Sequence, residues 1–212
     1  EDVGAVIITG AGRAFCAGAD LKEERAEGAT HMDFRRGIMV AQNITRLIVE
    51  TDRPVIAAVN GYALGGGCEI ALACDIIIAS EEAVFGFPET GVGLFLTGGS
   101  THLLPLQVGL AKAKELVFTG DFIDAGEALR IGLVNRVAPA EELLRQARET
   151  AAKVLDKSPA SIALAKWGLN SGAESSLNAA LAYETEAVVS TMLSQDSVEA
   201  ARAFAERKSD GK

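Results

Sequence analysis

Two glutamates stand in unusual company. Glu69 closes "GGGCE" inside the stretch "GYALGGGCEIALACD", and Glu89 follows a Phe-Pro pair in "VFGFPETGVG". Two carboxylates in apolar surroundings can divide acid and base work, because burial raises the pKa of one while a helix N-terminus favours the ionised form of the other. The glycines Gly65 to Gly67 run straight into an apolar, helical segment. Glycines at a helix start let a ligand approach the backbone closely. A further glycine-bearing segment, "FCAGADL" (Phe15 to Leu21), follows the strand-like run "GAVIIT". With both segments leaving the C-terminal ends of parallel strands and facing each other, each can offer an N–H to one oxygen, which makes an oxyanion hole. Taken singly, Glu69 equally suits a solvated first-turn residue and Glu89 a loop carboxylate accepting backbone N–H bonds.

Other chemistries find less support. Gly10-Ala11-Gly12 after the first strand invites a dinucleotide reading, but Phe15 stands where that fingerprint needs its third glycine. No glycine is followed by Lys-Ser or Lys-Thr, so a P-loop is absent. The only histidines, His31 and His102, lack an i, i+4 partner and read as polar loop residues, which leaves a metal site or a Ser–His–Asp triad without support. A net charge of −9 argues against a nucleic-acid partner. No apolar run approaches the ~20 residues of a membrane helix, and the N-terminus lacks a secretory pattern. Cys16, Cys68 and Cys74 form no CxxC pair and read as reduced and packed, which predicts a cytoplasmic or organelle-matrix setting, the cytoplasmic one being taken first.

The elements that must position these residues follow from periodicity. Gly4 to Thr9, Pro54 to Val59, Asp75 to Ser80 and Leu133 to Val137 are near-continuous apolar runs, suited to strands of a largely parallel sheet buried on both faces. Helical patterns cover Arg35 to Glu50, Gly66 to Cys74, Ala111 to Phe118 and Asp124 to Arg130, with Asp124 and Glu127 in a capping-box arrangement. Beyond Pro139 only helices are expected: Glu141 to Asp156, Ser161 to Asn170, Ser176 to Leu193 and Ser197 to Lys208. The organisation predicted is an α/β core over residues 1–138 and a helical region over 139–212.

Taken together, "AVIITGAGRAFCAGADLKE", "RPVIAAVNGYALGGGCEIALACDIIIAS", "FGFPETGVGL" and "FTGDFIDAGEALRIGLVNRV" resemble, in order and spacing, the enoyl-CoA hydratase/isomerase (crotonase) superfamily over essentially the whole chain. The resemblance implies ββα units wound into a spiral, in place of the doubly wound sheet that strand–helix alternation alone suggests. It also implies a C-terminal helical trimerisation region and a homotrimer or dimer of trimers. By position, Ala19 and Gly66 correspond to the two oxyanion donors, and Glu69 and Glu89 to the two catalytic carboxylates. Ala17, Ala19, Asp20, Leu21, Lys22, Gly66 and Thr97 fall where family members contact the acyl-CoA substrate. Coenzyme A is then part of the substrate, and no metal or redox cofactor is expected.

The reaction most implied is hydration of an enoyl-CoA. The alternatives are Δ3-Δ2-enoyl-CoA isomerisation using mainly Glu89, another acyl-CoA lyase reaction, and a non-catalytic relative, which would show a basic surface and lost carboxylates. Three departures from the family pattern stand out. Leu96 and Thr97 occupy the place of a Pro-Gly pair whose glycine N–H helps hold the water, a bond Thr97 can still donate. The C-terminal "ERKSDGK" lacks the family's basic stretch followed by Pro and Phe. The initial segment of the family pattern, with its early coenzyme contacts, is expected to have no counterpart in this sequence.

Overall fold

Uninterrupted branched-aliphatic and alanine runs form one sheet. In the computed structural model, which describes residues 3–20, 28–195 and 197–199, β1 (Val6–Thr9), β3 (Val55–Val59), β5 (Ile76–Ser80) and β8 (Arg136–Ala138) lie side by side in that order, all parallel. A second sheet holds β2 (Ala14–Cys16), β4 (Tyr62–Leu64), β6 (Val84–Gly86) and β7 (Ile123–Asp124), parallel except at the β6–β7 pair. The chain visits the first sheet, then the second, then a helix, and repeats. Thus β1 and β2 lead to α1 (His31–Glu50), and β3 and β4 to α2 (Gly66–Ala73). After β5 and β6 come a 3₁₀ turn (Pro88–Val92), α3 (Ser100–Val108) and α4 (Leu110–Thr119). Then β7, α5 (Ala125–Arg130) and β8 close the coil. This is the expected ββα spiral and not a doubly wound sheet.

Burial on both faces explains why the long strands read as continuous apolar runs. Val55, Ala57, Val59, Ile77 and Ala79 face the main core beneath α2, while Ile56, Ala58 and Ile78 face the other way. That second face is covered by α6 (Leu143–Leu155), which follows a 3₁₀ turn (Ala140–Glu142) and buries Leu143, Ala147 and Ala151 at i, i+4 and i+8. The helical region after Pro139 therefore begins as part of the sheet's packing. It continues as α7 (Pro159–Gly172) and α8 (Leu177–Met192), which meet through Trp167 and Tyr183, ring centroids 4.5 Å apart. The expected helix from Ser197 to Lys208 lies mostly outside the described residues, as does "ERKSDGK".

Some local expectations shift. Thr30 and Asp33 form a reciprocal capping box, so α1 begins at His31, and α3 begins at Ser100. Both histidines consequently sit on helices and not in loops; His102 Nε2 lies 3.1 Å from Glu174 Oε1. Asp124 does cap α5, accepting from the Glu127 N–H at 2.8 Å, but the Glu127 carboxylate is taken by Arg130. The last strand starts only at Arg136, because the Asn135 side chain intercepts the Ile77 N–H at 2.7 Å. Lys166 of α7 is buried, and its ammonium donates to Ile48 O (2.7 Å), Arg53 O (3.0 Å) and Asp75 Oδ2 (2.7 Å). Among the described residues no helix is long and apolar enough to cross a membrane.

Candidate active site

The second sheet brings the two glycine-bearing loops together. Parallel pairing of β2 with β4, Ala14 opposite Tyr62 and Cys16 opposite Ala63, sends both chains out at the same edge. Residues 17–20 leave β2 there, and Gly65 to Gly67 leave β4 into α2. The contact is close: a Cβ on Gly18 would sit 3.0 Å from Leu64 O and 3.7 Å from the Gly66 nitrogen. Ala17, Ala19 and Asp20 are exposed beside it, while Leu21 and Lys22 lie outside the described residues. Neither Ala19 nor Gly66, the first residue of α2, donates its N–H to an acceptor among the described residues.

Each glycine of the run has its own reason. Gly65 adopts φ +52° and ψ −122°, a region closed to side-chain-bearing residues, and a Cβ there would lie 2.7 Å from Glu89 Oε1. Gly66 meets nothing within 4 Å, so the space beside it is open. Gly67 presses its backbone on β2, where a Cβ would come within 1.9 Å of Cys16 O. Replacing Gly65 by alanine is expected to cost about 2 kcal/mol of stability through backbone strain and to push Glu89 aside. Thermal melts together with turnover of the Gly65→Ala variant check both effects.

Glu69 lies one turn into α2 and is 3% exposed, which removes the solvated reading. Its carboxylate is held by the turn before α3. The Thr97 N–H donates to Oε1 at 2.7 Å, the Thr97 hydroxyl to Oε2 at 2.8 Å, and the Ser100 hydroxyl to Oε1 at 3.2 Å. Gly98 makes room for this: a Cβ there would be 2.8 Å from Glu69 Cβ. Helix α1 fixes the same turn from behind, Gln42 donating to Thr97 O at 3.2 Å and Thr45 to Gly98 O at 2.9 Å.

Glu89, in the 3₁₀ turn, has the opposite environment. Its Oε2 is buried without a hydrogen-bond partner. Burial pushes its carboxyl above the ordinary carboxylate range, and the nearby Glu69 charge adds to the shift. One carboxylate is thus held by three donors and the other poised to keep a proton, with two unengaged N–H groups nearby. Such a set can polarise a carbonyl and move protons at the carbons next to it. Sequence reasoning singled out all four of these positions but missed Ser100 and the Thr97 hydroxyl. No helix was expected at α3, and a serine after two glycines has no periodic signature.

Comparison with known proteins supplies the wider setting. A family model described as enoyl-CoA hydratase/isomerase matches residues 1–211. A short-chain-enoyl-CoA hydratase of Clostridium acetobutylicum is 43% identical over 209 residues, covering 98% of this chain and 79% of that protein. A crotonyl-CoA hydratase of Syntrophomonas wolfei is 42% identical, covering 96% and 78%. The crystal structure of an enoyl-CoA hydratase from Bacillus anthracis superposes with a TM-score of 0.91 at 40% identity, covering 96% of this chain and 78% of that one.

Proposed function

The chain belongs to the enoyl-CoA hydratase/isomerase family, and from that premise we propose that it adds water across the 2,3 double bond of a 2-enoyl-CoA thioester. The contrast between the two carboxylates carries the reading: Glu69 is saturated with donors on one side, while Glu89 keeps a buried oxygen unpartnered. The thioester oxygen sits between the N–H groups of Ala19 and Gly66, where developing enolate charge is stabilised; one such donor contributes ~3 kcal/mol. Glu69 takes a proton from water as the oxygen bonds to the β-carbon and the double-bond electrons move toward the carbonyl. Glu89 then delivers its proton to the α-carbon as the enolate collapses. Ala17 and Asp20, exposed beside the two N–H groups, border the coenzyme portion of the substrate. The scheme draws on no metal or redox cofactor, and coenzyme A enters as part of the substrate.

The names of the relatives make crotonyl-CoA the first substrate to assay. Migration of a 3,4 double bond to the 2,3 position is a second reading, favoured by the firm engagement of Glu69, since Glu89 alone can carry that proton. Comparing hydration of crotonyl-CoA with isomerisation of a 3-enoyl-CoA separates the two. Hydration at or below background with rapid isomerisation would overturn the first. We also propose a homotrimer or dimer of trimers, supported by the exposed apolar residues of α7 and α8, Leu169 at 77% and Leu177 at 74% among them; light scattering of the purified chain tests it. A cytoplasmic setting remains part of the proposal.

The raised Glu89 carboxyl gives a pH signature. Glu89 must hold a proton to donate it, so kcat/KM falls as pH rises through its elevated pKa. The same shift links to stability. The protonated folded form is favoured below the unfolded value of about 4.3, and that contribution is lost as pH rises through the folded pKa. The urea midpoint of Glu89→Gln relative to the parent protein should therefore rise between acid and neutral pH, which denaturation across that interval measures.

A further inference from the structure

We propose that Thr97 and Ser100 are positioning residues that hold Glu69 so that a single acceptor site, on Oε2, remains for the reacting water. This rests on Glu69 acting as the base in the reading above. A carboxylate offers about four lone-pair sites. Oε1 accepts twice, from the Thr97 N–H at 2.7 Å and the Ser100 hydroxyl at 3.2 Å, and Oε2 accepts once, from the Thr97 hydroxyl at 2.8 Å. One site is left, and it belongs to Oε2. The donors are themselves fixed. Ser100 is 1% exposed at the start of α3, and the Thr97 and Gly98 carbonyls accept from Gln42 and Thr45 of α1. Neither hydroxyl has a proton left to offer substrate, because each donates its own to Glu69. The N–H of Thr97, expected at the water, is directed at Glu69 Oε1 as well. Water is thus gripped through Glu69, and the rotation of that side chain is stopped by groups that never touch the substrate.

The test is a double-mutant cycle on the full chain with crotonyl-CoA. Thr97→Val removes the hydroxyl while keeping the N–H and the shape. Its kcat should fall about tenfold to a hundredfold, the range of a hydrogen bond to a charged group, with KM changed less than about threefold. Thr97→Ser should recover kcat to within about threefold of the parent, and Ser100→Ala should show a smaller loss than Thr97→Val. In a Glu69→Gln background, Thr97→Val should cost less than about threefold, because the hydroxyl acts through Glu69. Equal losses in both backgrounds, a rise in KM with kcat unchanged, or unimpaired Thr97→Val would overturn the proposal. Urea midpoints of the parent, Thr97→Val, Glu69→Ala and their double variant give a second readout that needs no turnover, because alanine, unlike glutamine, keeps no acceptor for the hydroxyl. Non-additive shifts support the Thr97–Glu69 bond and additive shifts refute it. A parent protein that fails to hydrate crotonyl-CoA would refute the proposed function and the water-directing role together, while the urea cycle would still decide whether the bond exists.

Discussion

Glu69→Gln and Glu89→Gln should each lower crotonyl-CoA hydration by about a hundredfold to ten-thousandfold, the span over which a positioned proton carrier contributes. The losses should differ in kind. Glutamine at position 69 can accept a hydrogen bond but has no basicity toward water, so addition at the β-carbon fails while the proton carrier at the α-carbon survives. Glutamine at position 89 leaves the base in place and removes the α-proton. Exchange of the α-hydrogens of a saturated acyl-CoA in deuterated water separates the two. Exchange should persist in Glu69→Gln and disappear in Glu89→Gln. Near-normal hydration in either variant, or exchange with the reverse pattern, would refute the assigned roles. Glu89 is suited to its part because Oε2 is buried without a partner, an arrangement that disfavours the charged form.

The largest stability effect is expected at Lys166. Its ammonium joins the end of α1, the Arg53 turn and the start of β5, using three donors on Ile48 O, Arg53 O and Asp75 Oδ2. The same Asp75 oxygen accepts from the Val55 N–H at 2.7 Å, so the pair also anchors the first residue of β3. Lys166→Met keeps the length of the side chain and removes all three bonds, leaving the partly buried Asp75 carboxylate with the Val55 N–H but no counter-charge, and two carbonyls without the ammonium. Removal of one partner from such a pair costs about 3 kcal/mol or more. Chemical denaturation measures it, and Asp75→Asn is expected to fall short of that loss because its amide can still meet both neighbours. A change of less than about 1 kcal/mol in Lys166→Met would mean that solvent replaces the ammonium there.

How much of this was legible depended on element length. Val55–Val59 and Ile76–Ser80 are long enough, and apolar enough on both faces, to announce a buried parallel sheet. The strands of the second sheet are two or three residues each, such as Ala14–Cys16 and Tyr62–Leu64, too short to show any period. The coil was therefore reached through resemblance to a family and not through patterning. Helix α3 carries Pro105 in its interior and has Gly99, which offers no side-chain cap, before its first residue, so the usual start and continuation signals are missing. At the site, the glutamates and glycines were readable because their motifs are long. The donors that hold Glu69 were not, since hydroxyl groups serve many turns and only the folded geometry selects which carboxylate they meet.

The pairing of β2 with β4 has a consequence for how the site comes into being. Its two unengaged N–H groups belong to successive turns of the spiral, joined through a register that already shifts between Ala14 and Cys16. A slip of one residue would displace Ala19 from Gly66 by roughly 3.3 Å, more than the tolerance of a hydrogen bond, and it would also turn Phe15 out of the main core that it shares with Ala63 and Phe85. The register of β2 is therefore read twice, once by core packing and once by the two N–H groups. A misregistered molecule would both melt earlier and fail to turn over, so active-site titration and a melting curve should report the same folding fidelity.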